Sequence, residues 1–269
     1  MTGPTAAPDH LRTWLTLRTQ IPWHQAHAVV RLPTGIPLRD GAQHDIRTHD
    51  HARAPQRAAR LLAALARTRE DAASGAPLSF QLLSTWQREV LAVPDAPFRS
   101  HPAYAKSGRE RYGITPDLPT RLDACLHQAQ TDDLPLTARA ARAYLDVCFF
   151  HPFDDGNARS AFLTLTFVLA RAGVSLDQVG PVRRLQRRAD DPEGALALAD
   201  LLAVLITATA RRQSPVQPPA NPAAGNRSPS DSFGTHSPNR LSRYSSTWTE
   251  LMPSPPAGHP NADGSAPSS

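Results

Sequence analysis

The sequence predicts an all-α protein that ends in a disordered C-terminal tail. Its 269 residues are rich in Ala, Arg and Leu, and aromatic residues make up only 6% of the chain. Several segments place apolar residues three and four positions apart, which is the period of an amphipathic helix. From residue 213 onward the composition changes to Pro, Ser, Asn and Gly. Such a segment buries too little apolar surface to offset its ordering entropy, so we expect disorder over residues 213–269.

The charge of the chain is moderately basic, with a formal net charge of +5 and a pI of about 9.8. The predicted tail holds three Arg, two Asp and one Glu, so the excess of positive charge lies in the helical body. A positive surface favours polyanions weakly. Because no aromatic platform accompanies the basic residues, we expect a solvated, Arg-rich surface and no nucleic-acid partner.

The two cysteines, Cys125 and Cys148, fall in predicted helices and do not make a disulfide framework. Reduced thiols are typical of the cytosol. The N-terminus lacks the basic and apolar regions of a signal peptide. The apolar runs at 161–172 and 196–210 are too short or too interrupted for a bilayer span. We therefore expect a cytoplasmic protein with no membrane partner.

The chain divides into three predicted regions. Residues 1–74 form an N-terminal helical and loop region that packs on the core, residues 75–212 form the main helical domain, and residues 213–269 form the tail. Within the first region we expect a loop over residues 31–51. Its histidines at positions 44, 49 and 51 match no metal-ligand spacing, so no metal site is predicted there.

The main domain holds a succession of predicted helices with one irregular segment. Residues 97–119 lack helical periodicity, and we expect a loop or an irregular hairpin. The arginines between 183 and 188 favour a solvated helical face over a ligand site. The helices are predicted over residues 79–93, 118–130, 136–150 and 157–172, and again after Asp190.

Residues 150–162 form a polar loop between two of these helices. Pro152 cannot continue the first helix, and Gly156-Asn157 favours a turn with positive φ. The second helix is apolar on almost every side, which predicts a buried helix. Free N–H groups and the positive end of the dipole at its N-terminus suit an anion, and phosphate in particular.

The side chains of this loop suit group transfer to a hydroxyl. His151 can accept a proton near neutral pH, and Asp155 can hold Mg²⁺ against a phosphate. The N–H groups of Gly156–Ala158 can form an anion nest, and Arg159 adds a fixed charge with fork geometry. Together they suit phosphoryl or nucleotidyl transfer. The alternative is that His151 and Asp155 only cap a helix junction.

The loop resembles the signature of the Fic (Fido-domain) family, His-x-Phe-x-[Asp/Glu]-Gly-Asn-Gly-Arg-x-x-Arg. The matching residues are His151, Phe153, Asp155, Gly156, Asn157 and Arg159. The resemblance covers roughly residues 75–211, so we assign the Fic domain to residues 75–212. Arg99 lies in the irregular segment at the place where this family has its target-docking flap.

The resemblance implies a Fic-type helical bundle with a small flap, and transfer of AMP from ATP to a Ser, Thr or Tyr hydroxyl of a target protein. His151 would be the general base, and Phe153 would pack inward and fix the loop. Asp155 would bind Mg²⁺. Gly156 and Asn157, with Ala158 in the same turn, would cradle the phosphates, and Arg159 would bind them by charge.

Two positions depart from the signature. Ala158 replaces the second Gly, and Phe162 replaces the last Arg, which the family usually assigns to the terminal phosphate. The Doc toxins of the same superfamily also lack that Arg, bind ATP the other way round and phosphorylate a translation elongation factor. A Doc-like kinase with a possible antitoxin partner, and a nucleotide-binding module without catalysis, therefore remain alternatives to the adenylyltransferase.

Overall fold

Two consecutive buried helices, joined by the polar loop, form the centre of the fold. The computed structural model describes residues 8–29, 31–33 and 37–213. The described part of the chain is mainly helical and has one short hairpin. The prediction of an all-α bundle with a small flap is therefore confirmed. The predicted tail lies outside the described residues, except for Gln213, which ends the last helix.

The secondary-structure elements follow in this order. The α-helices are α1 (His10–Leu17), α2 (Gly41–Asp45), α3 (His51–Arg53), α4 (Pro55–Ser74), α5 (Phe80–Leu91), α6 (Leu118–Gln128), α7 (Leu136–Phe150), α8 (Asn157–Arg171), α9 (Gly180–Arg184) and α10 (Pro192–Gln213). A 3₁₀ turn covers Trp23–Gln25, and a π-helical turn covers Ile46–Asp50. Strands β1 (Ala103–Ala105) and β2 (Glu110–Tyr112) form an antiparallel hairpin, within the segment where a loop or irregular hairpin was predicted.

α7 and α8 form the central helix pair, and they position the polar loop between them. α7 buries a row of small residues, Ala138, Ala140, Ala141 and Ala143, which lets neighbouring helices approach closely. α8 is buried along nearly its whole length. α4 and α5 pack against α8, and α10 packs against α7. The apolar surface of the pair is thus covered on several sides, which holds both ends of the loop in place.

A buried ion pair fastens α1 to the middle of α7. The guanidinium of Arg18 donates to both carboxylate oxygens of Asp146, at 2.5 and 2.8 Å, and the indole of Trp14 donates to the same carboxylate at 2.9 Å. Burial alone would lower the pKa of Arg18, but the Asp146 carboxylate outweighs it and the pKa is raised. Asp146 is fully buried, so these donors replace the water that would otherwise stabilise its charge.

The loop predicted over residues 31–51 is wrong for its second half, because residues 41–53 are helical. Asp40 caps the first turn by accepting the N–H of Gln43 at 3.0 Å. Asp45 and Asp50 then bind α9, as described below. Among the described residues, no group of three or more His, Cys, Asp or Glu side chains is placed to hold a metal ion.

The prediction of a solvated arginine face over residues 183–188 is also wrong for Arg183. The side chain of Arg183 is only 15% exposed and pairs with both Asp45 and Asp50. Arg184 pairs with Asp45 at 2.9 Å, but its side chain is 52% exposed, as predicted. Arg188 does fit a solvated face, since its side chain is 69% exposed. Partners distant in sequence therefore decided the environment of these arginines.

α10 is longer than the apolar run that the sequence analysis considered. Its 22 residues are long and apolar enough, by length and composition alone, to cross a membrane, so the expectation of too short a run was wrong. Part of its surface is buried, with Leu198, Leu202 and Ile206 in the hydrophobic core. A core helix of a folded domain meets the same length and composition criterion.

We expect Asp146→Ala to destabilise the protein by about 3–5 kcal/mol, because it leaves the buried guanidinium of Arg18 without its counter-ion. Urea unfolding followed by circular dichroism measures this loss. Asp190→Ala is the matched control, since it breaks an exposed pair with Arg188 and should change the free energy of unfolding by less than about 0.5 kcal/mol. Equal effects of the two variants would contradict a structural role for the buried pair.

Candidate active site

The side chain of Asn157 closes the polar loop on itself. Its Oδ1 accepts the N–H of Phe153 at 2.9 Å, and its Nδ2 donates to the Phe153 carbonyl at 2.7 Å. Asn157 is the first residue of α8 and is only 3% exposed. One buried amide thus satisfies both backbone groups of Phe153, and it fixes the loop against the N-terminus of α8.

Arg99 holds the other side of the loop and joins it to the hairpin. The guanidinium donates to the carbonyls of His151 at 2.7 Å and Gly113 at 2.6 Å, and the backbone N–H of Arg99 donates to the Pro152 carbonyl at 2.9 Å. Arg99 is 3% exposed. This arginine therefore holds the flap from inside the protein and is not itself available for docking a target.

Gly156 is required by its backbone angle and by its neighbours. Its φ is +80°, and a Cβ at this position would lie 2.5 Å from Nε2 of Gln87. That amide donates to the Asp155 carbonyl at 2.6 Å. Any side chain at Gly156 would therefore strain the backbone and displace the contact between α5 and the loop.

Because of these bonds the loop carbonyls point toward the protein interior, and the N–H groups of the first two residues of α8 have no partner from the loop. Among the described residues, no acceptor takes the backbone N–H of Asn157 or Ala158. Ala158 is exposed, so its methyl group lies at the surface beside these donors. Two free N–H groups at the positive end of a 15-residue helix favour an anion.

His151 is held in a strained backbone conformation with a defined ring orientation. Its φ is +49°, which is unusual for a residue other than glycine. The imidazole stacks on the ring of Tyr112, with centroids 4.5 Å apart and an interplanar angle of 11°. Nδ1 lies 3.3 Å from the Cys148 carbonyl oxygen. A proton on Nδ1 satisfies that carbonyl, and Nε2 is then the proton acceptor.

Burial lowers the pKa of His151 below its ordinary value of 6.5, and the positive charge of Arg99 acts in the same direction. The hydrogen bond to Cys148 and the nearby carboxylates of Glu110 and Asp155 oppose this shift without reversing it. The imidazole is therefore neutral at pH 7 and can accept a proton.

Asp155 and Arg159 face each other one helical turn apart. Their side chains lie 3.1 Å apart, and they are 67% and 17% exposed. Oδ1 of Asp155 also accepts the N–H of Gly156 at 2.6 Å. The described residues offer no all-protein cage for a metal, but Mg²⁺ is commonly held by one or two carboxylates together with substrate phosphates. The exposed carboxylate of Asp155 fits that role.

These side chains line one cavity of about 560 Å³, a volume in the range of small-molecule sites. It brings together His151, Asp155, Gly156, Asn157, Ala158 and Arg159. Phe153 does not line it. The Phe153 ring is 2% exposed and stacks on Phe80 with centroids 5.5 Å apart, so Phe153 supports the loop from below.

The cavity also includes residues that the sequence analysis did not associate with the site. Arg53 and Arg57 come from the N-terminal region, Tyr104 from β1, and Arg183 from α9. For the three arginines, the only indication in the sequence is that their segments are rich in arginine. Nothing local in the sequence indicates that the three arginines share a cavity with His151.

The segment that contains the loop is similar to a known protein family. Residues 77–169 match the model of the Fic/DOC family. This segment of the chain is therefore similar to Fic domains. Members of this family are typically transferases. One solved structure with similarity is a Fic domain-containing signaling protein from Bacteroides thetaiotaomicron VPI-5482, with 20% identity and a TM-score of 0.40 over 59% of this chain and 69% of that chain. Among curated proteins, none matches the sequence.

We expect Asn157→Ala to destabilise the protein by about 1–3 kcal/mol, because two buried backbone groups of Phe153 lose their hydrogen-bond partner. Chemical unfolding measures the loss. Thr166→Ala on the same helix is the control, since its hydroxyl only donates to the Phe162 carbonyl in the preceding turn. If Asn157→Ala is as stable as the control, the clamp does not hold the loop.

We expect His151 to titrate below pH 6.5 in an NMR pH titration, with His151→Gln used to assign its signal. Because the folded pKa is lowered, the neutral ring stabilises the protein above the unfolded pKa, and this contribution is lost as the pH falls through the folded pKa. The wild type should therefore lose more free energy of unfolding than His151→Gln between pH 7.5 and pH 5. A midpoint above 6.5 would contradict the burial argument.

Proposed function

We propose that the protein is an adenylyltransferase that moves AMP from ATP to a Ser, Thr or Tyr hydroxyl of a target protein. The supporting observation is the arrangement of His151. Its Nδ1 is engaged by the Cys148 carbonyl, and its ring shares a cavity with Arg159 and the open N-terminus of α8. A neutral base beside an anion site is what hydroxyl attack on a phosphate requires.

In the proposed reaction, Nε2 of His151 takes the proton of the target hydroxyl. The hydroxyl oxygen forms a bond to the α-phosphorus of ATP. The bond between that phosphorus and the bridging oxygen breaks, and pyrophosphate leaves with the electron pair. The stacking on Tyr112 and the bond to Cys148 restrict the ring to one orientation, which favours proton transfer by positioning.

The phosphates would bind at the N-terminus of α8. The N–H groups of Asn157 and Ala158 supply two donors, and Arg159 supplies a charged fork. Arg159 pairs with Asp155 in this structure, so its guanidinium is already held beside the donors. Mg²⁺ bound by Asp155 would offset the negative charge of the phosphates.

The hairpin suits a protein as the acceptor. Tyr104 of β1 is 60% exposed and lines the cavity. Within the described residues β1 pairs only with β2, so its outer edge can accept an extended segment by strand addition. Arg99 joins this hairpin to the backbone of His151, which keeps the free edge of β1 in a fixed position relative to the imidazole.

A second candidate is phosphoryl transfer of the Doc type, favoured by Phe162 at the position of the last signature Arg. The two reactions differ in which phosphorus lies beside Nε2 of His151. Adenylyl transfer moves label from the α-phosphate of ATP to the target, whereas phosphoryl transfer moves label from the γ-phosphate. Parallel reactions with the two labelled forms of ATP therefore distinguish them.

The purified 269-residue chain, incubated with Mg²⁺, labelled ATP and a lysate, should transfer α-phosphate label to protein. His151→Ala should lower the rate by about 10²–10⁴-fold, the usual contribution of a general base. His127→Ala is the matched control, since this exposed histidine lies on α6 and does not line the cavity.

Transfer of γ-phosphate label alone would replace this proposal with phosphoryl transfer. Binding of ATP without any His151-dependent transfer would instead indicate a nucleotide-binding module. Either result would contradict adenylyl transfer, because each removes the covalent bond between the target and AMP.

A further inference from the structure

The cavity contains a second group of cations that the proposed chemistry at the loop does not use. Arg53, Arg57 and Arg183 line it together with the loop residues. We call these three residues the arginine wall. They come from α3, α4 and α9, so the tertiary fold brings Arg183 to two arginines that precede it by more than a hundred residues.

Arg183 is the fixed member of the arginine wall. Its guanidinium lies 4.8 Å from the centroid of the Phe162 ring. It also donates to Asp50 at 2.7 and 3.1 Å and to Asp45 at 2.6 Å. Two carboxylates and an aromatic face therefore hold a charged fork in one position, at the edge of the cavity, with little remaining freedom.

Arg53 and Arg57 are the open members of the wall. Both are exposed. Among the described residues, the side chain of neither has an ion-pair or hydrogen-bond partner. Two unpaired guanidinium groups on the wall of one cavity repel each other, and an anion between them relieves that repulsion.

The charges that line the cavity differ between its two parts. At the loop, the carboxylates of Asp154 and Asp155 outnumber the guanidinium of Arg159. At the arginine wall the lining holds three arginines and one carboxylate, Asp50, which pairs with Arg183. The pair of Arg184 with Asp45 adds no net charge behind the wall. The excess of positive charge in the cavity therefore lies at the wall.

The spacing of the two parts suits one elongated anion. Phe162, which lies under Arg183, follows Ala158 by four residues on α8, and this separation corresponds to about 6 Å along a helix axis. A polyphosphate chain bound at the α8 N-terminus can therefore continue toward the arginine wall. A monophosphate at the N-terminus would leave the wall without a ligand.

We propose that the arginine wall is a second anion subsite, which binds the terminal phosphates of a nucleoside triphosphate. The inference rests on the proposed function and deepens it, because it assigns the far end of the substrate to residues outside the loop. A terminal phosphate held at the wall lies away from His151, and the α-phosphate is then the one available to the target hydroxyl.

The test measures binding, so it does not depend on transfer. Calorimetric titrations with ATP and with AMP, in the presence of Mg²⁺, use the full chain carrying His151→Ala so that ATP is not consumed. Adding Arg53→Ala and Arg57→Ala should raise the Kd for ATP about tenfold or more, as expected when charge-assisted hydrogen bonds are lost. The Kd for AMP should change by less than about twofold, since AMP does not reach the wall.

Arg88→Ala with Arg211→Ala is the matched control. Both residues are exposed, neither lines the cavity, and the double variant removes the same charge. It should leave both Kd values within about twofold, since distant exposed charges are screened. Arg183→Lys tests the fixed member: it keeps the charge but loses the bidentate bond to Asp50 that holds it in place, and it should weaken ATP binding but not AMP binding. Thermal unfolding checks that each variant is folded.

An ATP affinity that is unchanged in the Arg53/Arg57 variant, or that falls only as much as the AMP affinity, would overturn the subsite. So would an unaltered chain that binds ATP no more tightly than AMP. The two proposals fail separately. Selective loss of ATP binding without label transfer would retain the subsite and remove the adenylyltransferase, whereas transfer with unchanged ATP selectivity would do the opposite.

Discussion

The double hydrogen bond between the Asn157 side chain and the backbone of Phe153 is the contact on which the site depends. A loop between two buried helices exposes backbone groups that helices cannot satisfy. Asn157 satisfies two of them from inside, and Arg99 and Gln87 take carbonyls on either side. The carbonyls are thus turned inward, and the N–H groups at the start of α8 are left for a ligand.

The cavity is completed by residues outside the segment that matches the Fic/DOC family. That match covers residues 77–169, whereas Arg53, Arg57 and Arg183 lie before and after it. The buried bond between Arg18 and Asp146 fixes α1 on the same helix that ends at His151. The N-terminal region is therefore part of the architecture around the site as well as cover for the core.

Phe162 brings no charge to the cavity itself, but it contacts a residue that does. The aromatic ring cannot bind a phosphate, but its face supports the guanidinium of Arg183. That guanidinium is fixed by carboxylates from the segment between residues 45 and 50. α9 thus supplies the cavity with a charge beside Phe162, in a position set by an ion-pair network.

The sequence by itself determined α7, α8 and the loop between them, because their signals are local: helical periodicity, a Pro after the first helix and a Gly-Asn turn before the second. It also indicated His151, Asp155 and Arg159 as neighbours, since four residues separate each from the next. Only the tertiary structure decided that residues 41–53 are helical and that Arg183 faces the cavity. Asp45 and Arg183 are 138 residues apart, and no local pattern reports a contact made across that distance.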